Sequence, residues 1–452
     1  MEEMVIRIAE AVRKAGGNTY LVGGCVRDSI MGRPVNDLDI EVHGISQESL
    51  YDLLSSFGRP LTYGASFGII SFPDLDLDIA LPRREKVTAE GGHRGFDIEI
   101  DPFIGTEGAA RRRDFTVNAL MQDVLTGEII DHFGGLRDIE EKILRHVDDC
   151  SFPEDPLRVY RAAQFASRLG FTVAPETVGL CRGIDTSTLS AERVEAELRK
   201  ALLDGISPSV VFTVLEQMDQ LRTWFGEIDR MRDIEQDPVF HPEGSVFIHS
   251  MQVLDRAAAY RDRVSDPYSF MLLALLHDIG KIEATEVIDG RIHAYGHEVL
   301  GLPLLDRFLD RLVSKSSVKN YVRNMVPLHM KPNVAAFNRV SVKSTNHMFD
   351  DACAPEDLIY MAMSDRPVKA GDVPFSGDSG FLFERLEEYR QTMSHPFVMG
   401  KDLIDPGLEP GEDFSDILDF AHKLRLAGID KISALKQTLA YARQLRKKNV
   451  SD

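Results

Sequence analysis

LVGGCVRDSIMGRPVNDLDIEVHG, residues 21–44, begins in an apolar run, turns on a glycine pair, passes through a helix-like VRDSIMG and returns as alternating acidic and apolar residues. Strand, glycine turn, helix and strand in that order predict an α/β or α+β unit. Gly23 and Gly24 would lie at a helix N-terminus, where backbone N–H groups can wrap an anion. Arg27 would stand in that helix's first turn as a phosphate clamp. In NDLDI the two-residue period of a strand puts Asp37 and Asp39 on one face and Leu38 and Ile40 on the other. Two carboxylates side by side repel unless a cation sits between them. A divalent pair beside a triphosphate cradle is the arrangement used for nucleotidyl transfer. Each half also has a plainer reading: a glycine pair makes tight turns, and DLDLDI at 74–79 shows the same acidic alternation, as an exposed strand would. What separates the two acidic runs is the GG-x-x-R upstream of the first.

Outward from this stretch, strand-like runs (TYLVGG, DLDIEV, FGIISF, DLDIAL, FDIEID, EIID) continue to about residue 140, with helical patterns between them. Beyond 140 amphipathic helices take over. The chain of 452 residues is too long for one ordinary core, and 43% hydrophobic with 27% charged residues describes a soluble globular protein. No apolar run approaches the roughly 20 residues that span a bilayer, and the N-terminal MEEMVIRIAEAVRKAGG is amphipathic without a signal-peptide core, so a cytosolic location is expected. Cys25, Cys150, Cys181 and Cys353 have no CxxC spacing, which argues against a thiolate metal site or a disulfide framework. The net charge of -20 means that any polyanion must meet local basic patches, for which RRR at 111–113 and the stretch at 431–449 are candidates.

GGCVRDSIMGRPVNDLDIEV closely resembles the signature of the class II tRNA nucleotidyltransferases, the CCA-adding enzymes, which share a head with bacterial poly(A) polymerases. RRRDFTVNAL at 111–120 resembles that family's second motif, EDPLRVYRAAQFASRLGF at 154–171 its nucleotide-selecting helix, and SAERVEAELRK at 190–200 its neck. The resemblance implies that Gly24 and Arg27 contact the triphosphate, that Asp37 and Asp39 hold Mg2+, and that Arg113 with Asp114 binds the incoming nucleotide and its ribose. It further implies that Asp155 and Arg158, flanked by Arg161, choose C or A from CTP and ATP by imitating a Watson–Crick edge, Arg with paired donors and Asp with acceptors. On that reading Arg158→Ala relaxes base choice and leaves the melting temperature nearly unchanged. Asp155 directly precedes Pro156 and so also fits a helix cap. Gln164 departs from the family, which usually has a further arginine there, and that puts one phosphate or base contact in doubt.

A second constellation reads His249, then HDIGK at 277–281, then Asp365 in MSDRPVK, with His297 and His329 between. Imidazoles and carboxylates on helices suit a divalent hydrolytic site. Asp278 follows the apolar run FMLLALL, and a carboxylate buried there costs several kcal/mol unless paired or metal-bound. With HPEGSVFIHS before it and GKIEATEVIDGRIHAYGHE after it, this resembles the HD phosphohydrolase domain that some bacterial CCA-adding enzymes carry. The resemblance implies His249, His277, Asp278 and Asp365 as ligands of Mg2+ or a divalent transition metal, with weaker support for Lys281, His297 and His329. It also implies activity on phosphomonoesters or 2′,3′-cyclic phosphates. PFVMGKDLIDPGLEPGEDF at 396–414 resembles a tail segment that leads into helices near the tRNA; its plainer reading is a loop capped by Asp402.

The expected fold is thus α+β: a nucleotidyltransferase head at 1–140 with a mixed sheet and helices, an all-helical neck at 141–236, an HD-type body at 237–370 and a helical tail at 371–452. The expected activity is template-independent addition of CCA to tRNA, with CTP and ATP as substrates and a second phosphohydrolase activity. A CC-adding or A-adding specialist and a poly(A) polymerase are rival expectations, as is an HD hydrolase with a vestigial head.

Overall fold

Alternation in the first acidic run has a direct structural result. The strand Asp39–His43 buries Ile40 and Val42 on one face and carries Asp39, Glu41 and His43 on the other. In the computed structural model, which describes residues 2–35, 38–62, 69–72, 77–88, 95–366 and 378–449, this strand lies near the middle of a mixed sheet. Asp37 lies outside the described residues, as do 74–76 of the second acidic run and most of the Gly- and Pro-rich stretch at 371–380.

The strands are β1 (Asn18–Val22), β2 (Asp39–His43), β3 (Leu61–Thr62), β4 (Ile69–Phe72), β5 (Leu77–Ala80), β6 (Arg83–Thr88), β7 (Gly95–Ile100), β8 (Met121–Asp123) and β9 (Ile129–Ile130). Seven of them form one sheet in the order β3-β4-β5-β2-β1-β8-β9, while β6 and β7 pair separately. Among the described residues only β2 and β5 run parallel within the large sheet, with Asp39 opposite Asp78. The helices Glu2–Lys14 and Gln47–Ser55 cover the apolar face, where Val5, Ile8, Val12, Leu50 and Leu54 pack on Ile40, Val42, Ile70 and Ile79. Burying about a dozen such side chains at ~2 kcal/mol each is what commits β2 to one register. A slip of one residue would turn Asp39 and Glu41 into that core. The mixed sheet with helices, followed by a mostly helical remainder, is the expected α+β class. The neck is not all helical, however: Ile143–Leu144 pairs in parallel with Thr172–Val173, and in the body Glu286–Ile288 pairs antiparallel with Arg291–His293, because these short runs satisfy their backbone groups across chain turns where no helix forms.

The chain divides into two compact units, Met1–Ala201 with Val210–Thr223, and Leu202–Ser209 with Trp224–Asp452. In the first, the helix Leu157–Leu169 packs on the helix Val210–Gln217. In the second, the helix Val246–Ala257 packs on Pro267–Leu276 and Pro355–Ser364. These three helices bear, on or just past them, His249, His277 with Asp278, and Asp365. The tail helices Ser379–Ser394, Gly400–Ile404, Phe414–Leu426 and Lys431–Asn449 belong to the same unit, and Ile417, Ala421, Ala434 and Ala442 form part of its apolar cluster. Asp402 accepts from the Met399 N–H at 2.7 Å and lies 2.9 Å from Lys431, so it does cap its own loop. Among the described residues no helix is long and apolar enough to cross a membrane.

Candidate functional site

The glycine turn is built as its sequence suggests. Gly23 has φ 73°, a conformation that glycine adopts without the Cβ penalty, and the helix Gly24–Ile30 starts directly after it. Its N–H donates to the Leu120 carbonyl at 3.3 Å, which ties the turn to the end of RRRDFTVNAL. A Cβ at Gly23 would stand 2.8 Å from Arg113 Nη1 and 3.8 Å from Asp39 Oδ2. The turn is therefore a cradle between a guanidinium and a carboxylate that any side chain would fill.

Around it lies a cavity of about 670 Å3 lined by Gly24, Arg27, Asp39, Arg113, Asp114, Asp155, Arg158 and Arg161. The residues expected to bind the nucleotide or its metal, apart from Asp37, thus meet in one place, whereas Arg111 and Gln164 are not part of the lining. The same lining adds Arg112 of the expected basic patch, and also Glu41, Asn118, Phe165, Arg83, Arg168 and Arg193, for which the sequence indicated no role. Period-two spacing from Asp39 could have found Glu41, and helical spacing from Arg161 could have found Phe165 and Arg168. Arginines outnumber carboxylates along this wall, which answers how an acidic chain could receive a polyanion. Of the arginine triplet, Arg111 instead pairs with Glu107 at 2.7 Å and Asp148 at 3.3 Å. Arg112 donates to the Arg83 carbonyl at 2.7 Å, and Arg113 donates to Glu41 at 3.3 Å.

Several of these side chains are anchored. Arg27 is buried and donates through Nε and Nη2 to Asp28, both at 2.9 Å, and through Nη1 to Asn118 Oδ1 at 2.5 Å. Asn118 in turn donates to Asp114 Oδ1 at 3.0 Å, where the Phe115 N–H also donates at 2.8 Å. Arg161 holds the other oxygen of Asp114, with Nε at 2.8 Å and Nη2 at 2.6 Å. Burial works against the charge of Asp114, yet Arg161, Asn118 and the Phe115 N–H outweigh it and hold the carboxyl below its ordinary range. Phe165 lies under both guanidiniums, with Arg27 and Arg161 each 5.2 Å from its centroid. The carboxyl of Glu41 is likewise lowered: burial opposes its charge, and His43 and Arg113 overcome that.

Arg158 departs from the sequence expectation. It is 9% exposed, donates to the Ser151 and Arg112 carbonyls at 2.7 Å each, and lies 5.8 Å over Phe152. It therefore holds two loops together, and its removal cannot be neutral for the fold. Asp155 accepts from the Leu157 N–H at 3.1 Å and from Arg193 at 2.9 and 3.0 Å, so it both caps the helix and holds a cavity arginine. Gln164 is 2% exposed, does not line the cavity, and its Nε2 has no hydrogen-bond partner among the described residues. An arginine at 164 would have to enter packed protein.

In the second unit His249, His277, Asp278 and Asp365 converge, and His297 and His329 join them. Ser245 caps the helix Val246–Ala257 and sets His249 one turn in. His277 and Asp278 follow the wholly buried segment Tyr268–Leu276. Gly280 then passes against the chain at His297 so closely that a Cβ there would stand 1.9 Å from the His297 carbonyl. That contact is what brings His297 to Asp278, and it explains the glycine of HDIGK.

His249 Nε2 lies 2.9 Å and His277 Nε2 3.6 Å from Asp365 Oδ1; on the other side, His297 Nε2 lies 3.1 Å and His329 Nε2 3.7 Å from Asp278 Oδ1. Asp278 Oδ2 is 3.3 Å from His277 Nε2, so this one carboxylate reaches both halves of the cluster. Among the described residues the donor atoms fall into three sets able to hold a metal: His249–His277–Asp365 and Asp278–His297–His329 within this cluster, and His241–Glu243–His249 beside it. Each Nδ1 is taken from behind: by Glu243 at 2.7 Å for His249, and by the carbonyls of Ala274, Ala294 and Val326 at 2.9, 2.8 and 2.7 Å for the others. That fixes the tautomer which offers Nε2 to a cation. His277 Nε2 is buried and faces the Asp278 and Asp365 carboxylates at 3.3 and 3.6 Å without a well-formed hydrogen bond among the described residues, which suits a metal-ligand atom. Burial opposes the charge of Asp278 and Asp365, but the neighbouring Lys281 and imidazoles outweigh it, so both carboxyls sit well below the carboxylate range and present anionic oxygens to a cation. Glu243 was not foreseen from the sequence, and His297 and His329 prove as central as the four residues ranked above them. Lys281 Nζ lies 2.8 Å from Asp278 Oδ2 and donates to Gln236 at 2.7 Å.

Residues 19–145 match the family model of the poly A polymerase head domain, and residues 246–366 match the HD domain. The chain is 36% identical over 319 residues to the multifunctional CCA protein of Pasteurella multocida, covering 69% of this chain and 73% of that one. It is 37% identical over 330 residues to the protein of the same name from Methylococcus capsulatus, covering 71% and 74%. Among solved structures, an apo form of a CCA-adding enzyme superposes with a TM-score of 0.67 at 20% identity over 97% of this chain and 95% of that one. The Thermotoga maritima CCA-adding enzyme complexed with tRNA gives 0.62 at the same identity over 97% and 95%. These structures agree with the fold read here. With a nucleotidyltransferase-type head and a histidine–aspartate centre in one chain, and relatives matched across most of both lengths, the chain belongs to the multifunctional CCA protein family.

Proposed function

We propose that this chain adds C and A to the 3′ end of tRNA from CTP and ATP at the head cavity, and hydrolyses phosphoesters at the histidine–aspartate centre. The observation that carries the first part is the meeting of all three head and neck motifs around one arginine-rich cavity. Asp39, with Asp37 beside it in sequence, would hold Mg2+, and the Gly23 cradle would receive the triphosphate between Asp39 and Arg113. Bound there, Mg2+ supplies the charge that favours attack of a 3′-hydroxyl on the α-phosphorus and departure of pyrophosphate. The protein's arginines neutralise the triphosphate. Arg27 and Arg161 are held rigid by Asp28, Asn118 and Asp114, so little reorganisation is needed as charge moves. Arg158 spends two N–H groups on backbone and keeps three for a base edge, which makes it a fixed reader beside Asp155.

At the second centre, His249, His277 and Asp365 would hold one divalent ion and Asp278, His297 and His329 another. Four imidazole nitrogens favour a transition metal over Mg2+. Such ions supply an activated water and draw charge from the phosphoryl oxygens. We divide the chain by task into head (1–140), neck (141–236), HD body (237–370) and tail (371–452), the tail being the part that contacts tRNA. The substrates place the protein in the cytosol.

The deciding experiment incubates tRNA ending at the discriminator base, at C and at CC with CTP and ATP together, one of them labelled. Full CCA addition gives three, two and one added residues respectively. Arrest after CC, addition of A alone, or long A tails would each replace the reading by a specialist or a poly(A) polymerase.

A further inference from the structure

The cavity beside the histidine–aspartate centre measures about 590 Å3, within the range of small-molecule sites. A bare phosphate would need only the metal-binding edge and Lys281. The lining offers more, and it is aromatic and apolar: Tyr295, Ile292, Phe240, Met330 and Val334, with Arg291 and His293 on the same stretch as Tyr295. Tyr295 is 67% exposed, an unusual degree for a large ring on a cavity wall. It is nonetheless held in place. Its ring stacks on His293 with centroids 4.8 Å apart and planes 14° from parallel, at the end of the strand Arg291–His293. His293 takes one face and leaves the other open. Gly296, at φ 71°, then turns the chain so that His297, two residues after Tyr295, reaches Asp278 at 3.1 Å. One short segment therefore carries both a metal-binding imidazole and an open aromatic face.

We propose that the Tyr295–His293 pair is a platform on which a nucleobase stacks while its ribose phosphate meets the metal-binding residues, making Tyr295 the specificity-determining residue of the second site. This rests on the reading of that centre as a phosphohydrolase. The ligand is a nucleotide at an RNA 3′ end or its mononucleotide equivalent. A π-face accepts any base, so the platform selects for the presence of a base with little preference among the four. Arg291, an exposed cation on the same wall, suits a base carbonyl or a neighbouring phosphate.

The test uses the full-length metal-loaded protein with two substrates that differ only by the base: adenosine 2′,3′-cyclic phosphate and methyl ribofuranoside 2′,3′-cyclic phosphate. The wild type should prefer the nucleoside. Tyr295→Ala should lower the ratio of the two kcat/KM values by roughly five- to a hundredfold, the range for losing one base–aromatic stack, mainly through KM. Tyr295→Phe should restore the ratio. An unchanged ratio in Tyr295→Ala would overturn the platform even if both substrates are hydrolysed. If the wild type hydrolyses neither substrate, the hydrolase reading falls instead. The platform is then judged by calorimetric titration of adenosine 2′-monophosphate, in which weaker binding to Tyr295→Ala supports it and equal binding refutes it.

Discussion

Replacing Arg158 by alanine separates a reader of bases from a tie between loops. The guanidinium makes two hydrogen bonds of 2.7 Å to the carbonyls of Ser151 and Arg112, with little of the side chain exposed. Hydrogen bonds from a charged donor contribute about 1.5–3 kcal/mol each, and water reaching the freed carbonyls from the cavity returns part of that. A net loss of about 2–4 kcal/mol follows. In a unit of roughly 200 residues each kcal/mol moves the melting temperature by about 2–4 °C, so the transition of the first unit should fall by about 5–15 °C. Differential scanning calorimetry of the wild type and Arg158→Ala reads this directly. Assays with CTP, ATP, UTP and GTP, run well below the lowered transition, then show whether discrimination also relaxes. Arg158→Lys should recover one of the two bonds and about half of the stability. A shift below about 1 °C in Arg158→Ala would refute the reasoning, because it would mean that the guanidinium does not bind the loops together in solution.

Asp39→Ala should abolish nucleotide addition and spare phosphoester hydrolysis, while Asp278→Ala should do the reverse; if both activities fall together in folded protein, the two-site reading is wrong. Gly280→Ala forces a Cβ onto the His297 carbonyl, so hydrolysis should fall at least tenfold while addition persists, as paired activity assays would show. Asp114 has a lowered pKa, so its contribution to stability is fully present above the ordinary carboxylate value near 4 and is lost as pH falls toward the lower folded value. Denaturant melts between pH 7 and pH 3 should therefore show a steeper loss for the wild type than for Asp114→Asn. Gln164→Arg buries a charge at a packed position, and should lower the melting temperature without tightening CTP or ATP binding in equilibrium titrations.

Residues close in sequence or locked to a regular period were readable without coordinates. The alternation of NDLDIEV decided which face of β2 is acidic, since a strand has only two faces and one of them must be buried. The glycine turn, the three motifs and the histidine–aspartate pattern likewise announced the head and the HD body. What no local pattern could carry was partnership between distant segments. Asn118 joins Arg27 to Asp114, and Arg158 joins loops at 112 and 151. Glu243 sets the tautomer of His249, and Gly280 brings His297 onto Asp278. An arginine looks the same in a sequence whether its donors face a substrate or are spent on carbonyls. Only packing decides that, because burial removes water as the competing partner and makes each buried donor choose a protein acceptor.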